Sequence, residues 1–338
     1  MIVEMKKGAA KEHVDHVVDR AHSLGFEVQL NVGTDKTVVA ILGSDTGKAP
    51  TDIFAVLPGV EGVTRVMKPY KLASREFKQQ ASRIKVGDVE IGGRKIVVMA
   101  GPCAVESEEQ LMKAAKAVKQ YGAGILRGGA FKPRTSPFAF QGLGEEGLRI
   151  LASARERYGI PIVTEVVDIQ SIDLVAKHAD ILQVGARNMQ NFALLKGLSK
   201  IRKPIMLKRG LSATVTEWLT AADYLLAEGN KKIILCERGI RTFEDSTRFA
   251  LDITSIGVIK RFSHLPIIVD PSHAAGHSAY VPSIAKAAVA AGADGLIVEV
   301  HPKPEDALVD GLQSLTIPDF KNLMSELQPI ATAVGREL

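Results

Sequence analysis

The segment IVVMAGPC, residues 96–103, is a short run of apolar and β-branched residues that ends in a polar turn with a cysteine. Seven later runs repeat this pattern, which is typical of strands buried on both faces. The eight runs are Ile96–Ala100, Ile125–Arg127, Ile162–Val166, Ile181–Val184, Ile205–Leu207, Ile233–Leu235, Ile267–Val269 and Leu296–Val300.

Segments with helical spacing of apolar residues separate these runs. They are Glu108–Tyr121, Gly144–Tyr158, Asp168–Lys177, Asn191–Ser199, Thr214–Ala227, Thr247–Lys260 and Ser283–Ala291. Alternating strands and helices indicate a parallel sheet, and eight strands predict a closed (β/α)8 barrel of the TIM type. An open doubly wound sheet is the alternative, but no Gly-x-Gly-x-x-Gly follows the first run, which argues against a dinucleotide-binding domain.

A smaller unit precedes the barrel. Strand patterns at Ile2–Met5, Phe26–Leu30, Thr37–Leu42 and Val60–Met67 and helical patterns at Ala9–Leu24 and Thr51–Leu57 give the order βαββαβ. This order predicts a ferredoxin-like α+β domain. We therefore expect a domain at residues 1–70, a charged linker at 71–88 and a barrel domain at 89–338, which opens with a small hairpin at Val89–Arg94 containing Gly92 and Gly93.

Composition narrows the class of protein. The chain has 338 residues, 46% of them apolar, and a formal net charge of +5. It contains no long run of like charges, so we do not expect a nucleic-acid partner. We expect small anionic substrates instead. Two cysteines, no apolar leader and no long apolar stretch predict a cytoplasmic protein that does not span a membrane.

Cations gather where the predicted strands end. Active sites of such barrels lie at the carboxyl ends of the strands. Two unit charges about 7 Å apart repel by roughly 2 kcal/mol at an effective dielectric constant of 20, so such a cluster favours a site for anions. One group on strands 2, 4, 5 and 6 and another within residues 132–136 suggest two phosphorylated substrates. The cations are Arg127, Lys132, Arg134, Arg187, Lys208 and Arg238.

A second set of side chains at the strand ends could hold a metal ion. Cys103 follows strand 1, His273 follows strand 7, Glu299 ends strand 8 and Asp310 lies in the loop after it. Closure of the barrel makes strands 7, 8 and 1 neighbours and brings the four together. One thiolate, one imidazole and two carboxylates suit Mn²⁺, Fe²⁺, Co²⁺ or Zn²⁺.

Seven motifs now make the chain recognisable. They are GPCAVES at 101–107, LRGG at 126–129, KPRTSP at 132–137, GARN at 185–188, LKRG at 207–210, CERG at 236–239 and DPSH at 270–273. Together they resemble the 3-deoxy-D-arabino-heptulosonate 7-phosphate synthases of the type Iβ branch, and the resemblance covers the whole chain. That family condenses phosphoenolpyruvate with erythrose 4-phosphate in the first step of the shikimate pathway.

The resemblance implies roles for individual residues. Phosphoenolpyruvate would lie on Arg127, Lys132, Arg187, Lys208 and Arg238, with Glu165 close by. Erythrose 4-phosphate would lie on Arg134, Thr135, Ser136 and Asp270. One divalent metal ion would be held by Cys103, His273, Glu299 and Asp310, and the catalytic residues would be Lys132, Cys103 and His273. The resemblance also implies an aromatic amino acid effector, phenylalanine or tyrosine, at the N-terminal domain, and a homotetramer.

Four alternatives stay open at this stage. The related 3-deoxy-octulosonate 8-phosphate synthases, which use arabinose 5-phosphate, have the loop Lys-Ala-Asn-Arg-Ser-Ser where this chain has Lys-Pro-Arg-Thr-Ser at 132–136. A Schiff-base aldolase could use Lys208 as its nucleophile. An RNA-binding module would need aromatic residues paired on a strand of the first unit, and a barrel without catalytic function would leave the crowded cations unexplained.

Overall fold

The structure is a computed structural model, and it describes residues 1–33, 36–43, 46, 49–65, 69–133 and 138–338. Contacts between Cα atoms divide the chain into two compact units. One comprises Met1–Ala81 with Arg261–His264, and the other comprises Ser82–Lys260 with Leu265–Leu338. The first boundary lies inside the segment 71–88 that the sequence predicts as a linker.

The first unit is a four-stranded antiparallel sheet with two helices. Its strands are β1 (Ile2–Met5), β2 (Glu27–Val32), β3 (Thr37–Leu42) and β4 (Val60–Thr64), and its helices are α1 (Lys11–Ser23) and α2 (Asp52–Ala55). The strands lie in the order β2-β3-β1-β4. The predicted ferredoxin-like domain is confirmed.

Apolar periodicity explains why α1 forms and packs. Val14, Val17 and Ala21 lie on one face of the helix and are buried with Val39 and other residues of the sheet. The helix ends before Gly25, whose φ of 75° is a left-handed conformation that glycine adopts without strain.

The second unit begins with a hairpin of β5 (Ile84–Val86) and β6 (Val89–Ile91). Its turn is Gly87-Asp88, with Gly87 at φ 57°. The sequence prediction that the hairpin spans Val89–Arg94 and contains Gly92-Gly93 was therefore wrong, because the apolar residues that pair come before Asp88 as well as after it.

Eight parallel strands then form a closed barrel, as predicted. They are β7 (Val97–Gly101), β8 (Ile125–Arg127), β9 (Ile162–Val166), β10 (Ile181–Val184), β11 (Ile205–Lys208), β12 (Ile233–Glu237), β13 (Ile267–Val269) and β14 (Gly295–Glu299). Neighbours in sequence are neighbours in space, and β14 pairs with β7 to close the ring.

Helices follow the barrel strands. They are α3 (Glu108–Gln120), α4 (Glu145–Tyr158), α5 (Ile172–His178), α6 (Phe192–Ser199), α7 (Val215–Ala227), α8 (Thr254–Phe262), α9 (Pro271–Ala275), α10 (Val281–Ala290) and α11 (Ile317–Ala333). Local signals set their bounds. For example, Thr214 and Glu217 form a reciprocal capping box at the start of α7, and Gly159 in a left-handed conformation ends α4.

The barrel interior is apolar, and the hairpin packs against one end of it. Ile84, Val86 and Ile91 of the hairpin share a buried cluster with strand residues such as Val97 and Ile125. These strand residues begin or lie near the beginning of β7 and β8, so the hairpin covers the amino ends of the strands. The carboxyl ends stay available for the polar loops.

One predicted helix begins later than expected. The sequence predicts a helix over Thr247–Lys260, whereas α8 begins at Thr254. Phe249 donates its backbone N–H to the Ala274 carbonyl, and Ile240 pairs with Ala250. These contacts with residues distant in sequence hold 248–250 in an irregular, non-helical conformation that apolar spacing cannot reveal.

Within the described ranges, no helix combines the length and apolar character that crossing a bilayer requires.

Candidate functional site

Barrel closure brings the four proposed metal ligands together. Cys103 follows β7, Glu299 is the last residue of β14, and Asp310 lies in the next loop. His273 lies in α9, directly after β13. Since β14 pairs with both β13 and β7, one ligand atom from each residue lies within 4.8 Å of all the others.

The contacts within this cluster are close. Cys103 Sγ lies 3.2 Å from Asp310 Oδ2, and His273 Nε2 lies 3.4 Å from Glu299 Oε1. The other ring nitrogen of His273, Nδ1, lies 2.8 Å from Asp270 Oδ2. A carboxylate can only accept, so Nδ1 carries the proton and Nε2 presents a lone pair to the cluster.

The four side chains of the cluster offer lone pairs to a common point, which suits the binding of a cation. An imidazole lone pair, a thiol and two carboxylates face one another, and Cys103 and Glu299 are buried. Burial raises the pKa of the Cys103 thiol, with Glu299 adding to the rise. Burial also opposes ionisation of Glu299, but His273 and Arg127 outweigh it and lower the pKa of Glu299 to about 2. The described residues therefore form a possible metal-binding cluster with an ionised carboxylate.

A cavity of about 290 Å³ adjoins the cluster and is rich in positive charge. Lys132 connects the cavity with the cluster, because it lines the cavity and its Nζ lies 3.1 Å from Cys103 Sγ. The titratable residues that line the cavity lie near the carboxyl ends of seven of the eight barrel strands or in the loops that follow them. They are Lys132, Glu165, Arg187, Lys208, Arg238, Arg248, His273 and Asp310.

Two arginines of the site, Arg127 and Arg238, have buried hydrogen-bond donors that no described protein group accepts. Arg127 Nη1 contacts Glu299 Oε1 at 2.6 Å, yet its buried Nε has no hydrogen-bond partner among the described residues. Arg238 Nη1 is also buried and lacks such a partner in the same part of the chain. A buried donor left unpaired is costly, so the unpaired donor of Arg238, which lines the cavity, fits a bound anion as its partner. Arg127 is not among the described residues that line this cavity.

Lys208 and Asp270 form a buried ion pair. Asp270, expected beside the aldose phosphate, is 1% exposed and is absent from the described residues that line the cavity. Its carboxylate contacts Lys208 and His273 instead. The ammonium of Lys208 is therefore paired with a carboxylate of the protein itself.

Glu165 lines the cavity, and its side chain lies so close to Gly185 that a larger residue there would displace it. Gln183 donates from Nε2 to Glu165 Oε2 at 3.0 Å. A Cβ at Gly185 would lie 2.2 Å from Glu165 Oε1, so the first residue after β10 has to be glycine if Glu165 is to stay in place.

The three residues expected to bind the phosphate of the aldose, Arg134, Thr135 and Ser136, lie outside the described residues. Two other residues of the site escaped sequence reasoning. Arg248 lines the cavity but fell inside a segment predicted as helix, and Gln313 contacts Glu299 from a loop whose sequence carries no signal for such a role.

A closed barrel with a cationic cavity and a metal-type cluster at its strand ends defines a class, namely barrel enzymes that act on small anionic substrates. Residues 73–334 match the model of the DAHP synthetase I family, and residues 1–68 match that of the DAHP synthase ferredoxin-like domain. The chain belongs to the DAHP synthetase I family.

Known proteins resemble the chain over different lengths. A phospho-2-dehydro-3-deoxyheptonate aldolase from Thermotoga maritima is 49% identical over 99% of both chains. The crystal structure of that enzyme from the same organism superposes with a TM-score of 0.80 at 48% identity, covering 99% of this chain and 98% of the other. A 2-dehydro-3-deoxyphosphooctonate aldolase from Syntrophotalea carbinolica is 32% identical over 74% of this chain and 96% of its own.

Proposed function

We propose that this enzyme condenses phosphoenolpyruvate with D-erythrose 4-phosphate and water to give 3-deoxy-D-arabino-heptulosonate 7-phosphate and inorganic phosphate. The observation that carries the proposal is the contact between Lys132 and Cys103, which joins a metal-type cluster to a cavity lined by cations. The reaction needs both parts, a place for two phosphorylated substrates and a group that activates an aldehyde. In this role the enzyme supplies the first step of the shikimate pathway.

The cluster of Cys103, His273, Glu299 and Asp310 would hold one divalent ion, Mn²⁺, Fe²⁺, Co²⁺ or Zn²⁺. When bound, such an ion supplies Lewis acidity toward a carbonyl oxygen. The chain itself orients the imidazole through Asp270, whose carboxylate lies 2.8 Å from His273 Nδ1.

Phosphoenolpyruvate carries a phosphate and a carboxylate, and the cavity offers cations for both. Arg187, Lys208 and Arg238 line the cavity. Arg127 is proposed as a further partner, since it has, like Arg238, a buried donor without a partner among the described residues. Guanidinium groups pair bidentately with phosphate and carboxylate, which orients the enol as well as binding it.

Carbon 3 of phosphoenolpyruvate then attacks the aldehyde carbon and forms the new C–C bond. A water oxygen bonds to carbon 2, the bond between carbon 2 and the phosphate oxygen breaks, and a ketone and inorganic phosphate result. Lys132, which is half-buried beside Cys103, would donate a proton to the former aldehyde oxygen. Glu165 lines the cavity, and we propose that it lies near the attacking water.

We propose that the second substrate is the four-carbon aldose phosphate, erythrose 4-phosphate, and not arabinose 5-phosphate. The relative named for the heptulosonate matches at 49% identity along the whole chain, whereas relatives named for the octulosonate match at 32% over 74% of it. The sequence Lys-Pro-Arg-Thr-Ser at 132–136 supports the same choice, with Arg134, Thr135 and Ser136 proposed to bind the aldose phosphate.

A product assay tests the proposal. The purified protein is incubated with Mn²⁺, phosphoenolpyruvate and one aldose phosphate at a time, and the 3-deoxy product is identified by mass. We expect erythrose 4-phosphate to be used in preference to arabinose 5-phosphate by at least tenfold in kcat/KM. Borohydride treatment with substrate tests the Schiff-base alternative, since a trapped adduct on Lys208 would replace the proposed mechanism.

We further propose that phenylalanine or tyrosine inhibits the enzyme through the ferredoxin-like domain at residues 1–68. A variant without residues 1–70 should retain product formation and lose any inhibition by either amino acid. Inhibition that survives this deletion would place the effector site in the barrel.

A homotetramer in a reducing cytoplasm completes the proposal. Both cysteines are free thiols buried in the barrel unit, which fits a reducing compartment. The mass in solution, measured by light scattering, should be four times that of the chain.

A further inference from the structure

Gln313 lies between two charged groups of the site. Its Nε2 donates to Glu299 Oε2 at 2.7 Å, and its Oε1 accepts from Arg248 Nη1 at 2.8 Å. A carboxylate only accepts and a guanidinium only donates, so these two partners allow a single orientation of the amide. Gln313 is 2% exposed, which keeps water from replacing either partner.

Arg248 also reaches a second member of the cluster. The same Nη1 lies 3.4 Å from Asp310 Oδ1. Asp310 has a φ of 54°, a left-handed conformation that a side chain other than glycine adopts at a cost, so the loop needs contacts that hold it there. Gln313 and Arg248 together therefore contact both carboxylates of the cluster.

The backbone of Arg248 forms a hydrogen bond with the helix that carries His273, a third member of the cluster. Its N–H donates to the Ala275 carbonyl at 3.2 Å, and the next residue, Phe249, donates to the Ala274 carbonyl at 2.9 Å. Both carbonyls belong to α9, the short helix that carries His273. One loop segment thus holds elements that carry three of the four proposed ligands.

We infer that Gln313 and Arg248 are positioning residues for the metal ligands Glu299 and Asp310. The inference rests on the proposed metal centre and deepens it. Gln313 orients Glu299 so that Oε1 faces the cluster, while Arg248 orients Gln313 and steadies Asp310. Partners that orient metal ligands typically contribute about 10- to 100-fold in metal affinity when they are removed singly.

Binding of Mn²⁺ to the full chain tests the inference, with free Mn²⁺ measured by its paramagnetic resonance signal. Gln313→Met keeps the volume of the side chain and removes both hydrogen bonds. We expect it to raise the Kd for Mn²⁺ by about 10- to 100-fold, with the melting temperature of the metal-free protein recorded in parallel. Arg248→Met should raise the Kd about tenfold, and Arg248→Lys, which keeps a donor, should recover most of the loss.

Arg241→Met is the matched control, because Arg241 is an exposed arginine of the same loop with no contact to the cluster among the described residues. Its Kd for Mn²⁺ should equal that of the unsubstituted chain. If Gln313→Met does not fold, the comparison of Arg248→Met with Arg248→Lys tests the inference by itself. Arg248 is exposed, so both of these variants should fold.

The outcomes separate the two claims. Absence of Mn²⁺ binding by the unsubstituted chain would overturn the metal centre and this inference with it. Binding by the unsubstituted chain together with equal Kd values in Gln313→Met and Arg248→Met would leave the centre in place and overturn the positioning role. Equal losses in Arg248→Lys and Arg248→Met would overturn the part assigned to the Arg248 donors.

Discussion

The guanidinium carbon of Arg238 lies 4.2 Å from the centre of the Phe249 ring. A desolvated guanidinium on an aromatic face is stabilised by the electrons of the ring while its edge donors stay free. Burial lowers the pKa of Arg238, and the ring helps the side chain to remain charged within the cavity wall. Phe249 therefore supports the arginine at the cavity wall without occupying its hydrogen-bond donors.

Phe249→Leu should weaken phosphoenolpyruvate binding. Loss of a buried cation–π contact of about 2 kcal/mol corresponds to a rise in KM of roughly 30-fold, with little change in KM for the aldose phosphate. Steady-state kinetics with each substrate varied in turn measure this split. Phe249→Tyr, which keeps the ring, and Phe243→Leu, at a fully exposed position of the same loop, should behave like the unsubstituted enzyme. Equal changes in both KM values would count against the assignment.

Removal of metal should abolish product formation. Because the proposed ligands include a thiol and an imidazole, dialysis against a strong chelator should yield an inactive protein, and Mn²⁺ or a similar ion should restore activity. Activity and bound metal are measured on the same samples, the latter by elemental analysis. Full turnover in a sample shown to be free of metal would rule out the metal centre.

Gly185→Ala should damage the site through Glu165. The added Cβ would meet Glu165 Oε1 at 2.2 Å and force that carboxylate away from Gln183, its hydrogen-bond partner. The displaced atoms are the end of a flexible side chain, so we expect little change in the free energy of unfolding but a decrease of about tenfold or more in kcat/KM.

Gly257→Ala provides the control for that substitution. A Cβ at Gly257, in α8, meets no atom within 4 Å, so helix propensity alone should raise the stability by about 0.5–1 kcal/mol with no change in activity. Urea unfolding and kinetics on both variants make the comparison. A Gly185→Ala enzyme as active as Gly257→Ala would show that the position of Glu165 does not matter.

His264 should make the stability of the chain depend on pH. Burial lowers its pKa from 6.5 to about 4, and its Nε2 lies 2.8 Å from the Leu72 carbonyl oxygen. Between these values the unfolded chain binds a proton at His264 and the folded chain does not. The free energy of unfolding therefore decreases as the pH falls through this window, by roughly 2 kcal/mol between pH 7 and pH 4.5.

His264→Gln keeps a donor for Leu72 and cannot be protonated, so its stability should decrease less over the same pH range. Urea unfolding at both pH values measures the difference, and His22→Gln, at an exposed position, should show the same pH dependence as the unsubstituted chain. Parallel curves for His264→Gln and the unsubstituted chain would exclude His264 as the source.

The barrel could be predicted from sequence because its strands are buried on both faces. Each then appears as an apolar run, and the bounds expected for Ile125–Arg127 and Ile181–Val184 are those of β8 and β10. The grouping of Cys103 with Glu299 could be expected for a related reason, since a closed barrel places its last strand beside its first.

Loop conformations could not be predicted in this way. Residues 248–250 have the apolar spacing of a helix, but backbone contacts with Ala274 and Ala275 keep them in an irregular conformation. That conformation is what brings Arg248 to Asp310 and Gln313. Similarly, nothing in the sequence distinguishes Asp270 as a partner of Lys208 from a residue that faces the cavity, because the difference depends on the direction of one side chain.

Strand β14 completes the ring on β7, and Cys103 meets Asp310 across 207 positions of the chain. A ribosome must therefore deliver nearly the whole polypeptide before these two side chains can touch. Products of interrupted synthesis that end before residue 295 lack β14, and those that end between residues 300 and 309 have all eight strands but lack Asp310. Fragments that end before residue 310, whether through early termination or proteolysis, consequently lack at least one residue of the possible metal-binding cluster.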